Sequence, residues 1–596
     1  MSGPGLESST HVEAGSSFDV KPPPLVALFL IKFDLKVGYT IAWKRAINDK
    51  VPLEGVVEYK SLPSGLHNVQ EDLVYFFHEQ CAGVSAFAKG SASEAERNAH
   101  FVAVGGMLPL KDSRLGRAWL HAGNLTNLAK SLVDDTTNTS SLEEYWEEHK
   151  VSEATADEYT SPQLSPFSLA QRKNRTLSTA TLGSDDKQTL SAYHPALSLV
   201  DYINTFGPLI FPLHRAALLR KRILLVTSAP VRQACEFVYD LSVTTSTPIS
   251  LASSLILPSE SLVRLRPLFS VGIHDIPYLE KLSQPQVPLH SHGNGNGNTS
   301  AQDGVYEDQE EPRVQGWIAC TTDDIIATKS KLFDIVVEMP SSHNGRKRPI
   351  IKTSDGQKQI QATQRDLRRW HMLKRALGSA TYPLKGRPTD RIHDNDEEEP
   401  LLSQSASTLV QDNDGEDDQD VVEPTTWSAL AYSSFYWWAS AGQKDGLLME
   451  EENQDKAIFS ELVELAEHII DARRYQDSDD EEDSAPERNI SSPSSHDTVA
   501  ERQDARIEMA LIAYFHRITK RFFEVCSDIL DDGADDNEGS IIDGVPNISR
   551  EEMRLMGLDG WSKADMDFVR TFFELWYERE VNVDRLGIDC CGLRVY

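Results

Sequence analysis

Residue types that could carry out catalysis are present in this 596-residue sequence, but they do not form an arrangement with a recognisable chemistry. The sequence contains no G-x-x-x-x-G-K-[ST] phosphate loop, no G-x-G-x-x-G turn, no H-E-x-x-H zinc pair and no G-x-S-x-G nucleophile elbow. His290 and His292 begin a Gly/Asn-rich run without a nearby Cys or carboxylate, which favours a linker over a metal site. We therefore expect no covalent chemistry, no metal and no cofactor.

One basic segment could contact a partner through its positive charges. The sequence RDLRRWHMLKRAL at 365–377 predicts a helix rich in cations. These cations could contact anionic lipid headgroups or an acidic partner protein, and the alternative is a solvated face that balances the chain's own acidic linkers. The candidate contact residues are Arg365, Arg368, Arg369, Lys374 and Arg375.

Three residues are candidates for covalent modification. Cys590 and Cys591 could be acylated and add reversible membrane affinity, although no C-a-a-X ending follows them and no basic cluster flanks them. Burial as ordinary thiols is the favoured alternative for both. Ser478 precedes the acidic run 479–483, which is typical of sites for acidophilic kinases, and a phosphate there would add charge to an acidic loop.

The net charge of −33 is unevenly distributed. The stretches 391–425, 476–504 and 531–543 together contain 28 acidic and 3 basic residues, so most of the surplus negative charge lies in them. Such runs repel themselves and bury little apolar surface, which predicts solvated linkers. Nucleic-acid binding is disfavoured because it needs a basic footprint.

The cellular compartment is predicted from cysteine usage and from the N-terminal residues. Six cysteines without a C-x-x-C pair indicate a reducing environment. The polar residues 1–21 lack the basic start and apolar segment of a signal peptide, and the apolar run 25–31 is too short to span a bilayer. We expect a cytoplasmic protein, with peripheral association with endomembranes as a candidate.

The elements that would position any site fall into three folded parts. After disordered residues 1–21, residues 22–135 show two hairpins (25–33 with 37–44, and 72–78 with 82–89), a fifth strand at 99–108 and a helix at 114–133. Residues 191–345 alternate strands and helices, which favours an α/β layer with parallel strands, interrupted by an insertion at 284–315. Residues 426–596 are predicted to be all-α, and their last helix opens with the capping pair Ser562 and Asp565.

The connecting segments are a linker at 136–190, a basic helical segment at 346–378, an acidic linker at 379–425, and disordered loops at 476–504 and 531–547.

Several sequence blocks resemble one family. PLVALFLIKFDLKVGYTIAW and LEGVVEYKSLPSGLHNVQEDLVYFF resemble the opening of the LCHN-like DENN-domain proteins. FGPLIFPLHRAALLRKRILLV and GWIACTTDDI are similar to the strands and helix of the DENN core, and SFYWWASAG with ELWYEREVNVDR resembles the uncharacterised C-terminal region of fungal members. These blocks begin at residues 24, 53, 206, 316, 434 and 574.

The resemblance implies a fold and a partner. It implies a longin-like antiparallel sheet with helices at 22–135 and a three-layer α/β DENN part at 191–345. The partner that it implies is a Rab-family small GTPase, which would be bound at its switch regions and made to release GDP. It supplies no catalytic residues to transfer. One alternative is a scaffold of the same fold in vesicle traffic; another is a GTPase-activating role through an arginine, for which Arg232, Arg264 and Arg266 are candidates. The sequence does not predict an oligomeric state.

Overall fold

The structure is a computed structural model. The residues that it describes are 22–34, 36–62, 64–65, 69–79, 81–90, 100–110, 117–133, 135–152, 189–247, 251, 264–284, 315–341, 345–381, 418, 420–427, 430–431, 434, 449–459, 502–532, 541–542, 545–583, 588–590 and 593–595.

The N-terminal part is a five-stranded antiparallel sheet with the order β3-β4-β5-β1-β2, which confirms both predicted hairpins and the fifth strand. On opposite strands of this sheet Phe29 pairs with Gly105 and Phe76 pairs with Gly83. Each phenylalanine ring lies where a Cβ of its glycine partner would stand, so the glycines let the rings lie flat on the sheet. The strands are β1 (Ala27–Asp34), β2 (Gly38–Ala46), β3 (Glu71–His78), β4 (Cys81–Lys89) and β5 (Phe101–Pro109).

Helical segments cover both faces of this sheet. The short helix α1 (Val57–Lys60) and the preceding residues bury Leu53 and Val57 against one face. The helix α2 (Ala122–Leu132), entered through a 3-10 turn at Ala118–His121, covers the other face. The predicted helix at 114–133 is therefore confirmed over its C-terminal half. Leu125, Ala129 and Leu132 are buried on its inner side.

The predicted linker 136–190 contains ordered elements, which corrects the sequence-based division. Helix α3 (Ser140–His149) buries Leu142, Tyr145 and Trp146, which recur at helical spacing. The Ser/Glu-rich composition of this segment suggested a linker, but the burial of these three side chains stabilises a helix. A short strand β6 (Thr189–Ser191) lies at the other end of this segment.

The central part is an α/β layer in which four parallel strands take the order β8-β9-β7-β10. Helices pack on both faces, as expected for strands that are apolar on both sides. The strands are β7 (Ile223–Val226), β8 (Arg266–Ser270), β9 (Trp317–Thr321) and β10 (Ile335–Glu338), extended by the antiparallel β11 (Ile350–Thr353) and β12 (Gln359–Ile360). The helices are α4 (Leu199–Phe206), α5 (Ile210–Leu218), α6 (Arg232–Thr244), α7 (Ile276–Leu282) and α8 (Asp324–Ala327).

The two parts share one eleven-stranded sheet, whereas the sequence predicted two separate layers. They join where β3 pairs antiparallel with β8 through Phe76 and Phe269. Phe269 has a φ of 58°, in the left-handed region that aromatic residues rarely adopt, and the strand register shifts beside it. Its ring packs 5.7 Å from that of Tyr75 and 5.4 Å from that of Phe77. This aromatic packing offsets the backbone strain at the join.

The C-terminal part packs on the helical face of the central part and shares its hydrophobic core. Trp576 donates its indole N–H to the carbonyl oxygen of Leu218, at 3.2 Å. As predicted, Ser562 caps the last helix and accepts the amide N–H of Asp565. The helices are α9 (Gln364–Thr381), α10 (Arg506–Asp532), α11 (Arg550–Leu555) and α12 (Lys563–Tyr577), and residues 449–459 are also helical.

Short strands lie in the region that the sequence predicted to be all-α. They are β13 (Arg502–Asp504), which pairs with β6, and β14 (Ile541–Ile542), β15 (Val545–Ile548), β16 (Asn582–Val583), β17 (Ile588–Cys590) and β18 (Leu593–Val595). The first three fall in or beside segments predicted to be disordered loops, so acidic composition alone placed those boundaries wrongly.

Among the described residues one segment, Pro195–Leu218, is apolar and long enough to cross a membrane by composition. Most of this segment is buried inside the fold, where it forms α4, α5 and the turns before them. It serves as the core of the helical face.

A buried ionic cluster attaches the C-terminal part. Arg215 on α5 donates to both carboxylate oxygens of Asp366 on α9, at 2.8 and 2.6 Å, and lies 3.2 Å from the carboxylate of Asp565 on α12. One guanidinium thus serves two carboxylates in the interior. Burial raises the pKa of Asp565 to about 7, although Arg215 opposes the shift.

The free energy of unfolding of the D565N variant should depend on pH differently from that of the wild type. The folded protein holds the Asp565 proton up to about pH 7, whereas the carboxyl of an unfolded chain releases it near the ordinary value of 3.8. Unfolding therefore releases this proton between those values, and this contribution to stability falls as the pH rises. Asparagine at position 565 cannot bind or release this proton. As the pH rises, the free energy of unfolding of D565N should therefore increase relative to that of the wild type, by up to about 1.4 kcal/mol per pH unit.

Denaturant titrations from pH 4 to pH 7.5 measure this difference, and contributions common to both proteins cancel. The matched control is D567N, which removes a half-exposed carboxylate from the same helix. Parallel stability curves for D565N and wild type would contradict the assignment.

Candidate functional site

An apolar patch lies where the N-terminal part meets the carboxyl ends of the parallel strands. Ile273 follows β8 and Ile325 follows β9, and both side chains are exposed. Tyr59 of α1 is also exposed, and its ring stacks on that of His274 with centroids 3.8 Å apart. We call Tyr59, Ile273, His274 and Ile325 the junction patch. Both folded parts contribute to it, at the edge of an α/β sheet where ligands usually bind.

A buried ion pair fixes α1 to the loop that follows β8. The ammonium group of Lys60 contacts the carboxylate of Asp275 and donates to the carbonyl oxygen of Phe77 at 2.8 Å. The side chains of Lys60 and Asp275 are 8% and 7% exposed, so neither charge can be satisfied by water. Asp275 also accepts the amide N–H of Gly272 at 3.0 Å, which closes the turn that presents Ile273.

A second contact joins the same loops through Asp323. Its carboxylate accepts the hydroxyl of Ser64 and, at 3.2 Å, the amide N–H of Ile273. Its own amide N–H donates to the hydroxyl of Thr321 at the end of β9, at 3.1 Å. The segments that carry Tyr59, Ile273 and Ile325 are thus connected by charge-assisted hydrogen bonds.

Asp72 connects the two parts beneath the patch. It stands at the start of β3 and accepts the amide N–H groups of Val231 at 2.8 Å and Arg232 at 3.1 Å, at the N-terminus of α6. A carboxylate from the N-terminal part therefore caps a helix of the central part. Burial raises the pKa of Asp72, and these backbone hydrogen bonds oppose the rise.

Charge around the junction patch is mainly acidic. Glu58, Asp323 and Asp324 flank its apolar side chains, and Asp324 is exposed. At the end of β3, burial and then the nearby Lys60 lower the pKa of His78. The patch therefore combines an apolar centre with a negative rim.

This arrangement can bind a protein surface. Among the described residues no cluster of three or more His, Cys, Asp or Glu side chains could hold a metal ion. The charged groups of Lys60, Asp275 and Asp323 are already engaged in the contacts that join the loops around the patch. Exposed aromatic and branched apolar side chains in a polar rim are the usual composition of a protein-binding surface.

The predicted basic contact residues separate into two groups. Arg365 and Arg369 are buried and share the carboxylate of Asp455, at 2.7 and 3.1 Å, so their guanidinium groups hold the helical segment 449–459 instead of facing a partner. Arg368 is partly exposed and pairs with Glu451 at 2.8 Å. Lys374 and Arg375 lie further along α9, and Arg375 is exposed. A contact role stays a prediction for Arg368, Lys374 and Arg375.

The three arginines considered for a GTPase-activating role each contact a neighbouring side chain. Arg232 pairs with Glu236 on the next turn of α6, at 2.8 Å. Arg264 donates to the hydroxyl of Ser242 at 2.8 Å, and burial lowers its pKa. Arg266 lies over the ring of Tyr278. None of the three belongs to the junction patch.

The predicted modification sites fall outside the described side chains. Ser478 and Cys591 lie outside the described residues, and of Cys590 only the backbone, in β17, is described. Acylation and phosphorylation at these positions stay predictions.

The sequence did not identify the junction patch. Its apolar members are single residues in polar surroundings, Ile273 in GIHD and Ile325 in TDDII, and such isolated residues carry no periodic signal. The available signal was their position just after two apolar strands, because the carboxyl ends of parallel strands share one edge. That signal required β8, whose short sequence RPLFS did not indicate a strand.

Two family models match the chain. The one described as "DENN domain-containing protein 11" matches residues 28–349, and the one described as "Domain of unknown function (DUF4484)" matches residues 422–545 and 533–596. The first match runs from β1 to the last residues before β11 and contains the whole junction patch. The second covers most of the C-terminal part.

Similar proteins occur in fungi and vertebrates. The chain is 24% identical to "Uncharacterized protein ANR2" of Saccharomyces cerevisiae over 96% of this chain and 94% of the yeast protein. It is 26% identical to "DENN domain-containing protein 11" of Danio rerio over 56% of this chain and 58% of that protein. It is 29% identical to "Uncharacterized protein C119.16c" of Schizosaccharomyces pombe over 55% of this chain and 67% of that protein.

Replacing Lys60 with methionine should destabilise the protein by about 3–5 kcal/mol, because Asp275 would keep a buried charge without a cation. The free energy of unfolding from a denaturant titration measures this loss. The double variant K60M/D275N should recover part of it, since no charge is then left buried. The control K44M breaks an exposed ion pair with Glu54 and should cost no more than about 1 kcal/mol. Equal losses for K60M and K44M would show that the pair does not join the two parts.

Proposed function

The chain belongs to the family of DENN domain-containing protein 11, and on this premise we propose that it is a guanine-nucleotide exchange factor for a Rab-family small GTPase in membrane traffic. DENN domains generally bind Rab GTPases and regulate them. The proposed activity needs no covalent step. We also propose that the protein acts in the cytoplasm, where it would meet GTPases at endomembranes.

The junction patch is the observation that supports this proposal most directly. Tyr59 comes from the N-terminal part, and Ile273 with Ile325 comes from the central part, so a partner bound there touches both. We propose that the GTPase switch regions, which present apolar side chains, dock on this patch. The acidic rim formed by Glu58 and Asp324 favours a partner with basic residues beside its apolar centre.

Exchange by this route depends on differential affinity. A surface that binds the nucleotide-free GTPase more tightly than the GDP-bound form shifts the GTPase toward release. Lowering the barrier to release by about 5 kcal/mol accelerates it several thousandfold. A rigid patch suits this task because it does not adapt to the GDP-bound shape, and the Lys60–Asp275 pair together with Asp323 supplies that rigidity.

The I325D variant should lose most exchange activity toward the GTPase that the wild-type protein accelerates. A carboxylate at the centre of the patch would have to be desolvated against an apolar switch surface, which costs several kcal/mol. The measurement is release of fluorescent GDP from a panel of purified Rab GTPases, with and without the full-length protein. The matched control is V37D, which places the same charge at an exposed valine on the turn between β1 and β2.

The outcomes separate the proposed functions. Accelerated GDP release by wild type and V37D but not by I325D supports exchange at the junction patch. Binding of a GTPase without acceleration would support the scaffold alternative, and faster GTP hydrolysis would support a GTPase-activating role. Activity that I325D leaves intact would remove the patch from the mechanism.

A further inference from the structure

A polar groove opens on the face of the sheet that α7 and α8 cover, near the amino-terminal ends of β7 and β10. It has a volume of about 640 Å³ and lies between the end of α7 and the loop that joins α8 to β10. That volume is within the range of sites for small ligands. We call it the Lys329 groove. Most of its lining is polar and comes from Ser283, Gln284, Thr328, Lys329, Ser330 and Lys331.

One arginine holds both walls of the groove. Arg222, just before β7, donates from Nη1 to the hydroxyl of Ser283 at 2.7 Å on one wall and to the carbonyl oxygen of Lys331 at 3.0 Å on the other. Its charge is balanced by Asp334, whose carboxylate accepts from Nε at 3.2 Å and from Nη2 at 2.7 Å. Burial opposes ionisation of Asp334, but the hydrogen bonds from Arg222 outweigh it and lower the pKa. The walls are therefore fixed before a ligand arrives, which reduces the entropic cost of binding.

The two lysines of the groove carry charges that the protein does not balance. Lys329 and Lys331 are exposed, and within the described part of the chain neither ammonium group makes a hydrogen bond or an ion pair. The hydroxyl of Ser330 and the side-chain amide of Gln284 also lack a partner among the described residues, and both can donate. Free cations and free donors that line one groove are the groups that bind phosphate oxygens.

Positive charge is concentrated around the groove, although the chain has a net charge of −33. The segments 221–222, 280–284 and 328–334 together contain five basic and two acidic residues. One of the acidic residues, Asp334, is paired with Arg222, and the other, Glu280, lines the groove. Charges more than about 10 Å away are largely screened at physiological salt, so this local excess of cations decides which ligand the groove attracts.

We propose that the Lys329 groove binds the phosphorylated headgroup of an anionic membrane lipid. The ammonium groups of Lys329 and Lys331 contact the phosphate oxygens, and Ser330 and Gln284 donate to them. A phosphomonoester presents more negative charge and more acceptor oxygens in one place than the phosphodiester of phosphatidylserine, so a phosphorylated inositol headgroup is favoured. An acidic peptide would need a longer surface than this groove offers.

This site is independent of the GTPase proposal, because it uses no residue of the junction patch. The seven-residue helix α7 separates the two, since it begins just after Asp275 and ends at the groove. The site also differs from the predicted basic contact on α9, where Arg365 and Arg369 are buried and paired with Asp455.

Vesicle sedimentation with the full-length protein tests the proposal. Phosphatidylcholine vesicles with about 5% phosphatidylinositol bisphosphate should bind wild type more tightly than vesicles with about 20% phosphatidylserine, which carry a similar charge. The soluble headgroup, inositol trisphosphate, should compete with the first kind of vesicle. Equal binding to both kinds would indicate diffuse attraction to negative charge and would overturn the proposal, as would binding to neither.

Three variants connect binding to the groove. K329Q/K331Q should weaken binding at least about tenfold, because each lysine near a membrane surface contributes roughly a factor of five. E280Q removes a negative charge from the lining and should strengthen binding about twofold or more. The matched control K44Q/K50Q makes the same change in net charge on β2 and just after it, and should bind like wild type.

A denaturant titration separates loss of binding from loss of folding. The two lysines are exposed and unpaired in the described structure, so K329Q/K331Q should unfold at the same denaturant concentration as wild type. The proposal is overturned if K329Q/K331Q binds vesicles as K44Q/K50Q does, or if E280Q binds more weakly than wild type. Binding of inositol trisphosphate without binding to vesicles would overturn the lipid source. An acidic peptide that competes as well as inositol trisphosphate would assign the groove to a protein partner instead.

Discussion

The architecture depends on the seam between β3 and β8, because this pairing turns an antiparallel sheet and a parallel sheet into one layer. The backbone contact itself is short, and one strand residue at it, Phe269, is strained. Side-chain contacts therefore fix how the two parts meet. Asp72 caps α6 from across the seam, and Lys60 pairs with Asp275 beside it. The same contacts position Tyr59 against the loops of the central part, so the proposed docking surface exists only while the seam is closed.

Buried charges have a similar role between the central part and the C-terminal part. Arg215 binds Asp366 and Asp565, Arg365 and Arg369 bind Asp455, and Asp418 accepts from both Arg348 and the indole of Trp370. Each pair joins segments that are distant in the chain. Buried pairs of this kind add little net stability, but an arrangement that separates them leaves an uncompensated charge in the interior. They select one way of docking the C-terminal part on the helical face of the sheet.

Features that depend on residues close together in the sequence were predicted correctly, and features that depend on residues far apart were not. The hairpins of the N-terminal part and the capped helix α12 were predicted because alternation, helical spacing and the Ser562 cap are local patterns. Helix α3 was missed because its polar composition masked a short apolar stripe, and β8 because RPLFS is short and contains Pro and Arg. Asp418 was assigned to an acidic linker since its partner, Arg348, lies 70 residues earlier, and no local pattern marks such a pair.

By itself the sequence determined the strands and helices with strong periodicity, the order of the three parts and the absence of catalytic motifs, since these depend on neighbouring residues. Only the tertiary structure decided which charges are buried and which apolar side chains stay exposed. Arg365 and Arg369 look like surface cations in the sequence and are interior ion-pair partners, whereas Ile325 and Trp427 look like ordinary apolar residues and face water. The reason is physical: burial is a property of the packed chain, set by contacts between residues far apart in sequence, and residue type alone does not specify it.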